Sequence, residues 1–174
     1  MKKINGLVLV VCLSLGFNQL AAQENVKSQF DFWIGEWDVY KYGTDTLVGK
    51  SKISSILDGH GILEEYEAIG SKYRGTSLNK YNQLSGQWEQ YYIDNSGLTL
   101  HLKGQLKEDK MILGNSVQRG EKTIQNRITW QAEPGKSSVR QTWTQLQEDT
   151  GNDKNKDSTD WALLFDGEYK PRSK

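Results

Sequence analysis

Few side chains in this sequence could carry acid–base chemistry. There are two histidines, His60 and His101, and histidine is the side chain whose ordinary pKa lies nearest to neutral pH. A base of this kind could start an elimination next to the carboxylate of a sugar, in which a proton is removed and an enolate develops. The candidate catalytic residues are His60, Tyr66 and His101. Each histidine also has a structural interpretation, because His60 lies in the turn-forming sequence 58–61 and His101 alternates with leucines.

A second group of residues could bind a small polar molecule. Its members are amides, one acid and aromatic side chains, and on the strands predicted below they share the inward face. Rings can stack against the C–H faces of a sugar, while amides bind its hydroxyls or hold the anion that develops in an elimination. Buried polar groups cost about 1–3 kcal/mol each unless they are hydrogen-bonded, so the alternative is that they satisfy one another or hold trapped water. The candidate ligand-binding residues are Glu64, Asn79, Tyr81, Trp88, Gln90, Tyr92, Asn126, Gln141 and Trp143.

Metal and nucleotide chemistry receive little support from the residues. Two histidines and a single cysteine, Cys12, are too few for a closed zinc site built from those ligands. No glycine-rich loop follows a predicted strand and opens a helix, as a phosphate-binding loop would, and no nucleophile elbow marks a serine hydrolase. We therefore predict neither a metal site nor a cofactor.

The elements that would position these side chains are short strands. From Trp33 onward, apolar and polar residues alternate in segments that recur about every eight to twelve residues, with turn sequences between them. Short connections favour antiparallel pairing of successive strands, and closure into a barrel removes the two exposed edges. The predicted fold class is all-β, a single antiparallel up-and-down barrel of about ten strands with room for a small ligand. The predicted strands are 33–42, 47–57, 62–68, 73–81, 87–94, 98–104, 111–117, 123–132, 138–146 and 159–169.

The run 30–39 carries a recognisable pattern, F-D-F-W-I-G-E-W-D-V. Its Gly35-x-Trp37 element on the first strand of an all-β chain resembles the signature of the calycins, the superfamily that includes lipocalins and fatty-acid-binding proteins. The longer F-D-F-W-x-G-E-W form is similar to a family of secreted bacterial proteins of unsettled function. Some calycin-like barrels bind haem through a late histidine. Because no histidine follows His101, the resemblance does not extend to haem binding.

The resemblance to the calycins implies an end-closing role for Trp37. In that superfamily the tryptophan closes one end of the barrel, and an arginine from a late strand commonly lies across its ring. Arg127 and Arg140 lie on late predicted strands and are the candidates for this contact. We expect Trp33 and Trp161 to belong to the same end-closing cluster.

The first 23 residues are predicted to be a signal peptide that is removed. A basic start precedes an apolar run, 4–17, which is too short to span a membrane comfortably, and small residues at 20–22 suit a cleavage site. The alternative is a lipoprotein with Cys12 lipidated, although Cys12 lies inside the apolar run rather than after it. We therefore expect a mature calycin-like barrel domain over 24–170, located in the periplasm or secreted.

The segment 147–158 is predicted to be a solvated hairpin loop because it contains no apolar residue to bury. The functional alternatives are a lid over the cavity or a calcium loop. Its acidic residues lack the full ligand spacing of a helix-loop-helix calcium site, which argues against calcium.

Composition limits the partners. The chain has 22 basic and 22 acidic residues without a basic stripe, so we expect a small-molecule ligand or oligosaccharide and no nucleic acid. No second apolar run approaches membrane length, so we expect no membrane span. The main hypothesis is an exported barrel that binds a small polar ligand, preferably a carbohydrate fragment. The alternatives are a carbohydrate lyase or dehydratase, a carrier of a lipid or other hydrophobic metabolite, and a filled barrel without a ligand.

Overall fold

The computed structural model describes residues 26–149 and 161–173. The predicted signal peptide lies outside these residues, and so does most of the predicted loop, of which 147–149 extend a strand. In the described part of the chain, no helix combines the length and hydropathy needed to cross a bilayer. The described elements are a short 3₁₀ helix (Ser28–Trp33) and the strands β1 (Gly35–Lys41), β2 (Leu47–Ile56), β3 (Gly61–Ala68), β4 (Arg74–Asn82), β5 (Gln87–Asp94), β6 (Thr99–Lys107), β7 (Lys110–Arg119), β8 (Lys122–Ala132), β9 (Val139–Asp149) and β10 (Ala162–Pro171).

The strands form one closed antiparallel barrel, which confirms the fold class predicted from the sequence. Each strand pairs with the next along the chain, because short turns make sequence neighbours into hairpin partners. β1 pairs with β10 to complete the circle, with Val39 opposite Tyr169. Closure therefore gives the first and last strands partners on both sides and removes the terminal edges.

The two ends of the barrel differ. The helix lies at the end that also carries the β2–β3, β4–β5, β6–β7 and β8–β9 turns, and Lys27 just before it contacts His60 of the β2–β3 turn. We call this the closed end, because Phe30 and Trp33 of the helix are fully buried there. The β1–β2, β3–β4, β5–β6 and β7–β8 turns lie at the opposite end, which we call the open end.

Gly35 marks the change from the helix to the first strand. The sequence predicted that this strand starts at Trp33, but Trp33 ends the helix and β1 begins at Gly35. Gly35 has a φ of +156°, a conformation that residues with a side chain rarely adopt. A Cβ at this position would lie 3.1 Å from the indole of Trp37. The glycine therefore turns the chain into β1 and lets the Trp37 ring pack across it.

Side chains alternate between the interior and the outer surface as predicted on β3, β4 and β5. The last strand departs from strict alternation, which predicts that Trp161, Leu163, Phe165, Gly167 and Tyr169 share one face. A bulge between Leu163 and Phe165 shifts the register, and one extra residue in a strand moves the side chains before it to the other face. Leu163 is consequently 57% exposed, whereas Tyr169 is buried.

Aromatic rings fill the closed end of the barrel. Phe30 stacks on Trp33 with 5.1 Å between ring centroids, and it meets Trp88 and Trp130 edge-on. Tyr169 adds a further edge contact to Trp33. All five side chains are buried, and rings of this size contribute large hydrophobic areas together with favourable edge contacts. The helix therefore acts as an aromatic plug.

Trp37 lies at the closed end, where the Gly-x-Trp pattern led us to expect it. It is buried, and its indole N–H donates a hydrogen bond of 2.9 Å to the carbonyl oxygen of Trp33. The arginine beside it is Arg172, which follows β10. Its guanidinium donates to the carbonyl oxygen of Trp37 at 3.4 Å and to Asp38 at 3.4 Å, so the contact is with backbone and carboxylate.

The two arginines predicted to stack on Trp37 bind elsewhere. Arg140 lies 3.7 Å above the ring of Tyr42 and donates two hydrogen bonds, of 2.8 and 2.9 Å, to Asp166. Arg127 lies 4.0 Å above the ring of Trp161. The prediction that Trp161 joins the end-closing cluster is therefore wrong, because the bulge in β10 leaves it on the outer surface of the barrel against Arg127.

Candidate functional site

A cavity of about 250 Å³ lies inside the half of the barrel that is nearer the open end. Its wall combines residues of β3, β5, β6, β8, β9 and β10 with one residue of the β3–β4 turn. Several of these residues are partly exposed to solvent, and Leu164 is the most exposed at 49%. The lining residues are Glu64, Tyr66, Tyr73, Gln90, Tyr92, Leu100, Ile128, Gln141, Trp143, Leu164, Phe165 and Tyr169.

The cavity brings together six of the residues singled out from the sequence. One of them, Tyr66, was a candidate base, and the other five were candidate ligand-binding residues. They come together because the alternation of each strand directs every second side chain inward. The six residues are Glu64, Tyr66, Gln90, Tyr92, Gln141 and Trp143.

Glu64 is the acid of the cavity. It is only 4% exposed, and Ser77 donates its hydroxyl to one carboxyl oxygen at 2.9 Å while Ser51 donates to the other at 3.4 Å. Burial raises the pKa of Glu64 to about 7, because the charged form loses its hydration, and the two serine hydroxyls oppose that shift only in part. The carboxyl group therefore changes charge near neutral pH.

A chain of amides fixes the orientation of Gln90. Asn79 donates to the backbone carbonyl of Ile62 at 3.3 Å, which identifies its nitrogen and leaves its oxygen free to accept. Gln90 lies directly opposite Asn79 across β4 and β5 and donates to that oxygen at 2.9 Å. The remaining atom of Gln90, Oε1, is buried and has no hydrogen-bond partner among the described residues. Asn79 itself lies behind Gln90 and does not line the cavity.

Gln141 presents a second acceptor of the same kind. It lies on β9 and also lines the cavity, and its Oε1 is buried without a hydrogen-bond partner among the described residues. A buried acceptor without a partner costs about 1–3 kcal/mol. The cavity thus contains two uncompensated carbonyl oxygens, from Gln90 and Gln141.

Three of the four tyrosines of the cavity donate their hydroxyl protons to other groups of the protein. Tyr73 donates to Asp94 at 2.9 Å, so Tyr92 is the donor in the 2.5 Å hydrogen bond between the two phenols. Tyr66 donates to the backbone carbonyl of Val48 at 3.4 Å. Desolvation raises the pKa of Tyr66 to about 12 and also raises the pKa of Tyr92. These phenols stay protonated at neutral pH, and their oxygen atoms remain able to accept.

Glycines on neighbouring strands make space for two of these rings. A Cβ at Gly49 would overlap the ring of Tyr66, and a Cβ at Gly75 would overlap the ring of Tyr92. Each ring therefore lies flat across a glycine instead of pointing into the centre of the barrel. This arrangement keeps the cavity open although four tyrosines line it.

The barrel wall has a gap between β6 and β7 at the open end. Their ladder joins Lys103–Lys107 to Lys110–Gly114, so within the described residues 99–102 do not pair with 115–119. Asn115 crosses this gap and donates its side-chain amide to the carbonyl oxygen of His101 at 3.1 Å. We call the space between 99–102 and 115–119 the β6–β7 gap.

Asn126 belongs to the hydrogen-bond network that bridges the β6–β7 gap through Asn115. It donates to Asn115 at 3.0 Å, and its oxygen accepts from the indole N–H of Trp143 at 3.0 Å and from Gln145 at 3.1 Å. Asn126 therefore stabilises the wall and does not line the cavity, although it was a candidate ligand-binding residue. Trp143 contributes its ring to the cavity while its N–H belongs to this amide network.

The other candidate residues lie apart from the cavity. Tyr81 and Trp88 contact each other towards the closed end, where Trp88 donates to Gln29 of the plug at 3.2 Å. His60 is exposed in the β2–β3 turn, at the opposite end of the barrel from the cavity. His101 faces outward, stacks on Tyr91 and lies 3.3 Å from a carboxyl oxygen of Glu89.

Six lining residues were not among the candidates, namely Tyr73, Leu100, Ile128, Leu164, Phe165 and Tyr169. Tyr73 was predicted to begin the strand 73–81, but it lies in the β3–β4 turn, and Leu164 reaches the cavity because of the bulge in β10. Leu100, Ile128, Phe165 and Tyr169 lie on predicted strands but were not assigned to the site. The glycines on the strands next to Tyr66 and Tyr92 are a signal that would have favoured open space over a filled core.

The described residues contain no group of three or more His, Cys, Asp or Glu side chains able to hold an ion. Comparison of the chain with protein-family models gave no match, and a search of curated proteins gave none either. The barrel is therefore established by its coordinates, while membership of the calycins stays a prediction from the Gly-x-Trp pattern.

Proposed function

We propose that this protein is an exported barrel that binds a small polar molecule, with a carbohydrate fragment as the preferred ligand. The observation that carries this proposal is a pair of buried carbonyl oxygens without hydrogen-bond partners among the described residues, Gln90 Oε1 and Gln141 Oε1, on two residues that line the cavity. Native proteins satisfy nearly all buried polar atoms. Two such atoms on residues of one cavity wall favour a ligand that supplies the donors.

The rest of the wall supports a ligand with both polar and apolar faces. The rings of Trp143, Phe165 and several tyrosines offer surfaces for the C–H groups of a sugar ring. The volume of about 250 Å³ is close to the lower end of the usual range for ligand pockets, roughly 300–1,000 Å³. The enclosed part of the ligand is consequently small, such as a monosaccharide or one end of a longer chain.

A lipid carrier is a weaker interpretation of the same cavity. Among the described lining residues, only Leu100, Ile128 and Leu164 are aliphatic, and no lysine, arginine or histidine is present to pair with a fatty-acid carboxylate. The same absence from the described lining disfavours an anionic sugar acid. Export itself rests on the basic and apolar pattern of residues 1–23.

Catalysis is a second candidate function, and Glu64 is the observation that favours it. A general acid or base works best when its pKa lies near the operating pH, and the pKa of Glu64 is raised to about 7. Of the three candidate bases from the sequence, only Tyr66 lines the cavity, and its raised pKa makes it a poor base. A lyase or dehydratase built on this cavity would therefore use Glu64 to move the proton.

The test of the binding proposal is a calorimetric screen of the mature protein against neutral monosaccharides. We expect at least one to bind, and we expect the double variant Gln90→Leu/Gln141→Leu to weaken its binding by at least about tenfold, because each change removes one acceptor. Gln105→Leu makes the same chemical change on the outer surface of β6 and should leave affinity unchanged. Equal affinity in all three proteins would contradict the proposal.

The catalytic candidate is tested by incubation with oligosaccharides, including uronic-acid oligosaccharides. Elimination creates a conjugated double bond that absorbs ultraviolet light, and dehydration lowers the product mass by one water molecule. Product formation by the natural protein and its loss in Glu64→Gln would support catalysis. Binding of a sugar without any product across the panel would leave the protein as a binder.

A further inference from the structure

We propose that the ligand of this cavity carries a protonated amine, and that Glu64 is its counter-ion. This inference rests on the proposed binding function and deepens it by assigning the charge of the ligand. An amino sugar or another small amine of similar size would satisfy both the rings and the acceptors of the wall.

The first argument is the charge of the cavity. Glu64 carries the sole carboxyl group among the described lining residues, and none of these residues is a lysine, arginine or histidine. The described residues also give Glu64 no ion-pair partner, since its direct polar contacts are the hydroxyls of Ser51 and Ser77. Buried carboxylates are normally paired with a cation. The missing partner of Glu64 is therefore a cation that arrives with the ligand.

The second argument is the direction of the hydrogen bonds. Tyr66, Tyr73 and Tyr92 donate their protons to other groups of the protein, and so does the indole N–H of Trp143. Among the fully buried atoms of the described lining residues, those without partners are the acceptors Gln90 Oε1 and Gln141 Oε1. An ammonium group has three donors and no acceptor. It matches this wall better than a carboxylate or phosphate, which would only add acceptors.

The third argument is the number of aromatic rings. Tyr66, Tyr73, Tyr92, Trp143, Phe165 and Tyr169 all line the cavity. The face of an aromatic ring attracts a cation, by about 2 kcal/mol or more when the pair is desolvated, and cages of such rings recognise organic ammonium groups. The rings and the carboxyl group therefore favour the same ligand charge.

The inference predicts a dependence of affinity on pH. The titratable groups that face Glu64 are Tyr66 on β3, Tyr73 in the β3–β4 turn, Tyr92 on β5 and Tyr169 on β10. Because their pKa values are raised, these phenols stay neutral at both pH values used in the experiment below. Because burial raises the pKa of Glu64 to about 7, its carboxyl group becomes neutral below that pH and loses its attraction for an amine.

The experiment compares three ring compounds of matched shape, cyclohexylamine, cyclohexanol and cyclohexanecarboxylate, by calorimetry on the mature protein. At about pH 8 we expect the amine to bind at least about tenfold more tightly than the alcohol, and the carboxylate to bind most weakly. At about pH 5.5, where Glu64 is protonated, we expect the advantage of the amine over the alcohol to fall by about tenfold or more.

Two variants on neighbouring positions of β3 isolate the charge. Glu64→Gln keeps the shape of the side chain and should abolish both the preference for the amine and its pH dependence. Glu65→Gln makes the same change on the outer face, where Glu65 is exposed, and should alter neither. Thermal unfolding of each variant establishes that it is folded before binding is measured.

The outcomes separate this inference from the proposed function. Equal binding of amine and alcohol, or tightest binding of the carboxylate, would overturn the assignment of charge while a neutral monosaccharide could still bind. Binding of a monosaccharide with no binding of cyclohexylamine would likewise reject only the cationic ligand. Failure of every probe, including the monosaccharides of the first screen, would reject both the inference and the function on which it rests.

Discussion

The two halves of the barrel contain the same kinds of residues and use them differently. At the closed end, Phe30, Trp33 and Trp130 contact one another directly, with centroid distances of 5.1–5.4 Å. Near the open end, the rings of Tyr66 and Tyr92 lie across glycines and surround a cavity of about 250 Å³. Residue type alone therefore does not distinguish a packed core from a binding site in this fold.

Buried polar atoms without hydrogen-bond partners also differ between the two halves of the barrel. The indole N–H groups of Trp33 and Trp130 lack partners among the described residues, but neither ring lines the cavity. The unpaired oxygens of Gln90 and Gln141 belong to residues that line the cavity. An unpaired polar atom thus indicates a site only when there is room for its partner.

The largest expected effect is the loss of an aromatic ring from the closed end. Trp33→Ala removes a fully buried side chain and should lower the free energy of unfolding by about 3–5 kcal/mol, because a cavity is created where rings now pack. Denaturant unfolding measures the change. Trp161→Ala removes an indole from the outer surface, where its contact is with Arg127, and should cost about 1 kcal/mol or less. Similar losses in both variants would contradict the plug role of the helix.

The next effect is a dependence of stability on pH that comes from the open half. Glu64 has an ordinary pKa of 4.5 and a raised pKa of about 7 in the folded protein. Between these values the folded state binds the proton that the unfolded state has released, so stability falls as the pH rises from about 4.5 through about 7. The difference corresponds to about 3 kcal/mol.

Unfolding by urea at several pH values measures this contribution. Glu64→Gln should flatten the decline between about pH 4.5 and 7, whereas Glu65→Gln on the exposed face should retain it. A decline of equal size in the Glu64→Gln variant would show that the pH dependence arises from other groups.

The smallest effect compares two amides on the inward face. Gln141→Leu removes an acceptor without a partner and should raise the free energy of unfolding by about 1 kcal/mol. Asn126→Leu removes a group that bonds Asn115, Trp143 and Gln145 and should lower it by about 1–3 kcal/mol. Changes of the same sign would remove the distinction between a site amide and a wall amide. Unfolding experiments on both variants, each with leucine at the position, provide the comparison.

Alternation in the sequence was sufficient to predict the barrel and the face of most residues. The strands of the hairpins connected by glycine-containing turns begin and end within a few residues of their predicted bounds, as β5 (Gln87–Asp94) illustrates. Prediction failed where the period of two is interrupted. Trp33 belongs to a helix whose aromatic residues imitate a strand, and the bulge after Leu163 reverses the face of Trp161.

The division of the amides into site and wall could not be predicted from the faces alone. Asn79 and Gln90 lie directly opposite each other, and so do Asn115 and Asn126. Whether one inward amide satisfies another depends on the register between strands, which alternation does not specify. The face of a residue is a property of one strand, whereas its hydrogen-bond partner depends on two.

The β6–β7 gap has a mechanical consequence for the barrel. Around most of the barrel, neighbouring strands are joined by ladders of backbone hydrogen bonds. In the β6–β7 gap, the hydrogen bond from the side-chain amide of Asn115 to the carbonyl oxygen of His101 joins the two strands instead. Side-chain bridges have more rotatable bonds than a backbone ladder, so the rim is most compliant there. Amide protons of 99–102 should therefore exchange with solvent faster than those of β4, which is paired along its length on both sides. Unfolding of the barrel should begin at the β6–β7 gap.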